Sequence, residues 1–208
     1  MSENVEMTAI SIGIFGETAV GKTCICSSFL GLEFKEEHLS TIGIEKLSST
    51  ITTEDGEKLK LKLWDTAGQE RFKSVSAKNV RFCQASIVVF DLTDKSTFKK
   101  VSYWIQEIRS YSDIKPIGLF GNKSDKVDKR EVTQEEIDKL CSKENVLYFE
   151  TSAMKNTGIK EGFSKIASIA YKLFGNEPKG TKLKIKKKIM VFFSIVMVIF
   201  FKDYIKMI

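Results

Sequence analysis

Proline is nearly absent, with two residues in 208, so no proline-rich linker divides the chain. Histidine is scarcer still. His38 stands beside Glu36 and Glu37 and reads as a solvated loop residue rather than a metal ligand. The four cysteines, Cys24, Cys26, Cys83 and Cys141, have no metal-ligand spacing, and no secretory segment precedes them. Reduced thiols in a cytosolic compartment are expected. Cys24 and Cys26 lie two apart on a helical stretch and cannot face each other, which argues against a disulfide between them. Residues 1–175 also lack net charge, with 25 basic and 25 acidic side chains. That balance argues against a nucleic-acid-binding face on the body of the protein.

The chain does have one dense pattern, Gly16-Glu17-Thr18-Ala19-Val20-Gly21-Lys22-Thr23, with the spacing G-x-x-x-x-G-K-[ST]. It follows the apolar run Ile10–Phe15 and precedes a helix-like stretch, Cys24–Leu30. In a strand–loop–helix context the glycines let backbone N–H groups converge on an anion. The helix adds its own unpaired N–H groups and its positive dipole end. Lys22 is expected to reach the β- and γ-phosphates of a nucleotide, and the Thr23 hydroxyl to ligate Mg²⁺. Glu17 reads as a solvated loop acid.

Short unalternating apolar runs at Ile10–Phe15, Ile87–Phe90, Ile117–Phe120 and Val146–Phe149 predict strands buried on both faces. Helices are expected at Cys24–Leu30, Ser96–Ser110, Gln134–Cys141 and Ile159–Leu173. Ile42–Thr53 and Lys58–Trp64 bracket Asp55-Gly56, a hairpin signal. The fold class is therefore α/β: a three-layer sandwich around a six-stranded, mostly parallel sheet with one antiparallel strand and about five helices. Ligand sites in such sheets gather at the C-terminal ends of the strands.

Three further clusters fall there. In Trp64-Asp65-Thr66-Ala67-Gly68-Gln69-Glu70, Asp65 can hold a metal's water shell. Gly68 can offer its N–H to a γ-phosphate without a crowding Cβ, and Gln69 can orient an attacking water. In Asn122-Lys123-Ser124-Asp125, the Asp125 carboxylate can accept from the N1–H and 2-amino group of guanine. Thr151-Ser152-Ala153 can present a backbone N–H to the guanine carbonyl.

In this order the motifs resemble the small GTPases of the Ras superfamily, the Rab branch in particular, over Thr8–Gly175. The run Trp64–Phe72 is the most specific item, with Gly16–Thr23, Thr41-Ile42-Gly43, Asn122–Asp125 and Thr151–Ala153 beside it. The resemblance implies a P-loop NTPase fold and a switch that binds GTP or GDP with Mg²⁺ and hydrolyses GTP slowly. It implies nucleotide contacts from Gly16, Ala19, Val20, Gly21, Lys22, Thr23, Cys24, Phe34, Thr41, Gly68, Asn122, Lys123, Asp125, Ser152, Ala153 and Met154. Metal contacts would come from Thr23, Thr41 and Asp65, and hydrolysis would depend on Gln69, Lys22, Thr41 and Gly68. It also implies an exchange factor, an activating protein and effectors at the switch regions, a monomer, and vesicle traffic at the cytoplasmic face of an intracellular membrane. Arg71 reads as a partner-contacting switch arginine. Two stretches depart from the Rab pattern on the family's effector surface: Lys46 follows Ile44-Glu45 where an aromatic is usual, and Asn79-Val80-Arg81-Phe82-Cys83 replaces Tyr-Tyr-Arg-Gly-Ala. A non-cycling GTP-loaded membrane scaffold and a Ras-type signalling GTPase are the alternative functions, with an ATPase a weaker third.

The chain divides into a flexible N-terminus (1–7), the GTPase domain (8–175), a basic linker (176–188) and a hydrophobic segment (189–208). From Asn176 on, eight lysines face only Glu177 and Asp203, a terminus suited to an anionic membrane. No cysteine follows Cys141, which excludes the terminal prenylation of Rab relatives for the sequence as written. The 13 uncharged residues Ile189–Phe201 allow three readings. As a helix of about 20 Å flanked by snorkelling lysines they form a tail anchor or shallow insertion. They also match the translation of AT-rich non-coding DNA, or a further core element.

Overall fold

A computed structural model describes residues 7–32, 44–53, 55–66, 82–111 and 115–175. The strands are β1 (Ala9–Phe15), β2 (Ile44–Thr52), β3 (Lys58–Thr66), β4 (Ala85–Asp91), β5 (Ile117–Asn122) and β6 (Leu147–Glu150). They form one sheet in the order β2-β3-β1-β4-β5-β6. β2 runs antiparallel to β3, from Ile44 opposite Thr66 to Thr52 opposite Lys58, and every other pairing is parallel. The hairpin turns where expected. Gly56 has φ +82° and its N–H donates to the Thr53 carbonyl at 3.0 Å.

Helices α1 (Lys22–Phe29), α2 (Lys95–Lys99), α3 (Val101–Tyr111), α4 (Gln134–Glu144) and α5 (Ile159–Phe174) cover the two faces. On one side, Ile10, Ile12 and Ile14 of β1 and Leu59, Leu61 and Leu63 of β3 pack against Ile25 of α1 and Phe163, Ile166, Ala167 and Ala170 of α5. On the other, Phe15, Val88 and Phe90 meet Trp104, Ile105 and Ile108 of α3 and Ile137 of α4. All seven residues of β4 are buried, the result of helices on both faces.

The single helix expected over Ser96–Ser110 is two, interrupted at Lys100. Asp94 sets the start of α2 by accepting from the Ser96 N–H at 2.9 Å. α4 starts at a capping box in which Thr133 and Glu136 satisfy each other's backbone N–H groups. Among the described residues no helix is long and apolar enough to cross a membrane. The segment 189–201 lies outside them.

Candidate functional site

The strands β1, β3, β4 and β5 deliver their C-terminal residues to one end of the sheet. Several of these ends run a residue or two past the last apolar side chain. Asp65 closes on β3, Asp91 on β4 and Asn122 on β5, all buried and polar. Burying them costs free energy unless partners are built in, and each has partners there.

The loop from Gly16 to Gly21 joins β1 to α1. Gly16 (φ +137°), Ala19 (φ +63°) and Gly21 (φ +95°) all lie in left-handed conformations, which curl the chain on itself. A Cβ on Gly16 would run into the Val89 carbonyl oxygen, so the loop hugs β4. Gly21 caps α1 without a side-chain hydrogen bond, and the first turn of α1 carries no acid. A helix N-terminus of this kind presents N–H groups and a positive dipole end that suit an anion. Lys22 is buried, its ammonium donating to the carbonyls of Gly16 at 3.0 Å and Glu17 at 2.7 Å. Burial pushes that ammonium down to about 8, against the opposing pull of Asp65 and Glu17.

Thr23, on the first turn of α1, donates from Oγ1 to Asp65 Oδ2 at 2.6 Å. A hydroxyl and one buried carboxylate therefore meet beside the lysine. Cys24 follows, half-buried, its thiol pushed up by burial. Val20 is fully buried under the loop.

The far side of the site comes from β5 and β6. Asn122 spans it: its Nδ2 donates to the Val20 carbonyl at 2.9 Å, and its Oδ1 accepts from the Ala153 N–H at 3.2 Å. One buried amide thereby fixes the distance between the glycine loop and the Thr151–Ala153 turn. Lys123, at φ +68°, pairs with Asp91 Oδ2 at 2.5 Å. Asp125 Oδ1 accepts from Ser152 Oγ at 2.5 Å, and Ser152 Oγ in turn accepts from the Lys155 N–H at 3.0 Å. Met154 is exposed just beyond Ala153.

The structure thus gathers Gly16–Cys24, Asp65, Asn122, Lys123, Asp125, Ser152, Ala153 and Met154 at one edge. Phe34, Thr41, Gly68 and Gln69 lie outside the described residues, as do His38 and Arg71.

Two contacts have no counterpart in the sequence reading. Glu17 is not a solvated acid: its Oε1 accepts from Trp104 Nε1 at 2.9 Å, tying the glycine loop to α3. The indole N–H is a buried donor that needs an acceptor, and the loop supplies one. Ser28 of α1 donates to Asn156 Oδ1 at 2.9 Å, joining α1 to the loop after Ala153. Neither partner is near in sequence, so no local spacing announces them. Asp91 did carry a signal, a carboxylate at the C-terminal end of a buried strand.

A glycine loop feeding a helix N-terminus, a threonine–aspartate pair and a carboxylate-bearing turn across the sheet define a P-loop nucleotide-binding domain. The Ras family model matches residues 12–172. Ras-related protein Rab-13 of Bos taurus is 37% identical over 180 residues, covering 82% of this chain and 88% of that protein. Ras-related protein Rab-15 of Homo sapiens is 32% identical over 175 residues, covering 82% and 81%. Rab-13 of Rattus norvegicus is 35% identical over 184 residues, covering 84% and 90%. The chain belongs to the Ras family, as a Rab-like GTPase. It binds guanine nucleotide as a switch and hydrolyses GTP to GDP.

Proposed function

We propose that this GTPase cycles with Mg²⁺ and controls a step of vesicle traffic, recruiting effectors to a membrane while loaded with GTP. The observation that carries the reading is the Asn122 bridge, which holds the phosphate end and the base end of the site in one rigid frame. Lys22 leaves its two carbonyl partners for the β- and γ-phosphates, and the anion it meets favours its charged form. The α1 N-terminus receives the phosphates on backbone N–H groups. Asp125 accepts from the guanine edge while Ser152 keeps it oriented; Lys123, braced by Asp91, lines the base.

The donor set fits Mg²⁺. Thr23 and Asp65 offer two hard oxygens and a single charge, and Mg²⁺ keeps waters and takes the rest of its shell from phosphate. Among the described residues no cluster of three or more His, Cys, Asp or Glu offers a dedicated cage. The bound ion would neutralise charge on the phosphates. Gln69 orients the attacking water, and Thr41 and Gly68 meet the γ-phosphate, so that its loss frees both switch segments. Residues 8–175 form the GTPase domain and the chain acts as a monomer. Residues 176–188 meet an anionic cytoplasmic leaflet and Ile189–Phe201 inserts there.

The test is single-turnover hydrolysis of γ-labelled GTP. Phosphate release that rises with an activating protein, with an unassisted rate on the order of 10⁻⁴ to 10⁻³ s⁻¹, supports a cycling switch. A loaded protein that releases no phosphate would be a static scaffold.

A further inference from the structure

The glycine loop is held at its two ends by groups that need no ligand. Gly16 lies against the Val89 carbonyl of β4, and the Val20 carbonyl accepts from Asn122. Between them run Glu17, Thr18 and Ala19, the last two exposed. Lys22 braces this middle from inside, its ammonium donating to the Glu17 carbonyl at 2.7 Å. That brace ends when the ammonium turns to a phosphate. The loop would then lose an internal tie just as its amides must converge on the anion.

A second tie on the same residue does not involve the anion-facing groups. Glu17 Oε1 accepts from Trp104 Nε1 at 2.9 Å. Among the described residues it is the one side-chain hydrogen bond from the middle of the loop to another element. Trp104 is a firm post for it. The indole is buried, its ring 6.4 Å from Phe15 at the end of β1 and edge-on to Tyr103 at 5.7 Å. Val101, Ile105 and Ile108 of α3 share its cluster, so the close-packed core fixes where the indole N–H points. The bond also fixes a charge. A carboxylate free to swing in this loop would repel the same phosphates that Lys22 attracts.

We propose that Glu17 is a positioning residue for nucleotide retention: anchored on Trp104, it keeps the glycine loop in its phosphate-binding shape once Lys22 has turned to the phosphates. The role rests on the guanine-nucleotide binding described above. It adds α3 to the elements that set how long a nucleotide stays. Glycines let the loop curl but leave it loose, and a side chain anchored on the helix layer supplies the stiffness they lack.

The test is the release of fluorescently labelled GDP, in magnesium, from the full chain and three variants. Glu17→Ala removes both acceptor and charge. Glu17→Gln keeps an oxygen that can accept from the indole, and Trp104→Phe removes the donor. Glu17→Ala and Trp104→Phe should each release GDP at least about tenfold faster, the effect of losing a charge-assisted hydrogen bond. Their association rates and circular dichroism should stay near those of the unsubstituted chain, because the loss falls on dissociation. Glu17→Gln should remain within about threefold of the unsubstituted release rate, a rescue by position without charge.

Release from Glu17→Ala at the unsubstituted rate overturns the proposal, since that substitution leaves the packing of α3 in place. Glu17→Gln as fast as Glu17→Ala overturns it too, and makes the charge rather than the anchor responsible. A smaller fraction of binding-competent protein with an unchanged release rate would make the bond a folding contact only, and the proposal wrong. If the unsubstituted chain holds no GDP, nucleotide binding itself fails and this role falls with it.

Discussion

Asp125 can discriminate between bases only if it is held still, and Ser152 does the holding at 2.5 Å. Replacing the carboxylate by an amide adds donors where guanine also donates. Asp125→Asn should therefore turn preference from guanine toward xanthine, read by competition between labelled GDP and XDP; unchanged guanine selectivity removes the assignment. Gln69→Leu keeps the binding residues and removes the group that orients water. It should bind GTP nearly normally with hydrolysis largely lost, and hydrolysis at the unsubstituted rate would overturn that role. The Glu17–Trp104 bond makes a subtler claim. Trp104→Phe keeps most of the packing but deletes one charge-assisted hydrogen bond to the glycine loop, a loss of about 2 kcal/mol in stability. Denaturant unfolding that shows no change would mean the loop does not depend on α3.

Two helices, α2 and α4, are started by a small polar device. The Thr133–Glu136 capping box begins α4 and, through Ile137, sets that helix against the core beneath β5 and β6. Thr133→Ala should cost about 1 kcal/mol in urea unfolding with little effect on nucleotide affinity. A tenfold loss of GTP binding would show that α4 is coupled to the site more tightly than its position suggests. Strand cores such as Ile117–Phe120 were legible because burial on both faces demands continuous apolar residues. Their polar ends were not. Asn122 belongs to β5 by its backbone pairing with Asp91, but its side chain follows the needs of the site rather than the core. The glycine loop was legible because its chemistry is local, confined to eight consecutive residues. The clamps Asn122–Val20, Ser28–Asn156 and Glu17–Trp104 join residues 102, 128 and 87 apart in the chain, and nothing short of the fold brings them together. The break at Lys100 was also hidden, since the apolar pattern continues through it.

For the whole molecule, the distribution of charge separates two surfaces. The body is neutral, and the excess positive charge resides after Asn176. Juxtamembrane lysines contribute about 1 kcal/mol each near an anionic leaflet. Replacing Lys182, Lys184, Lys186, Lys187 and Lys188 by serine should weaken binding to phosphatidylserine vesicles at least about tenfold. It should leave GTP uptake as it was. Vesicle binding that survives the five substitutions would place the membrane contact elsewhere. The measurement closest to the central claim is uptake of labelled GTP by the purified chain in magnesium. One equivalent bound, lost in Lys22→Ala and displaced by GDP but not ADP, is the predicted result; no uptake at all would contradict the account.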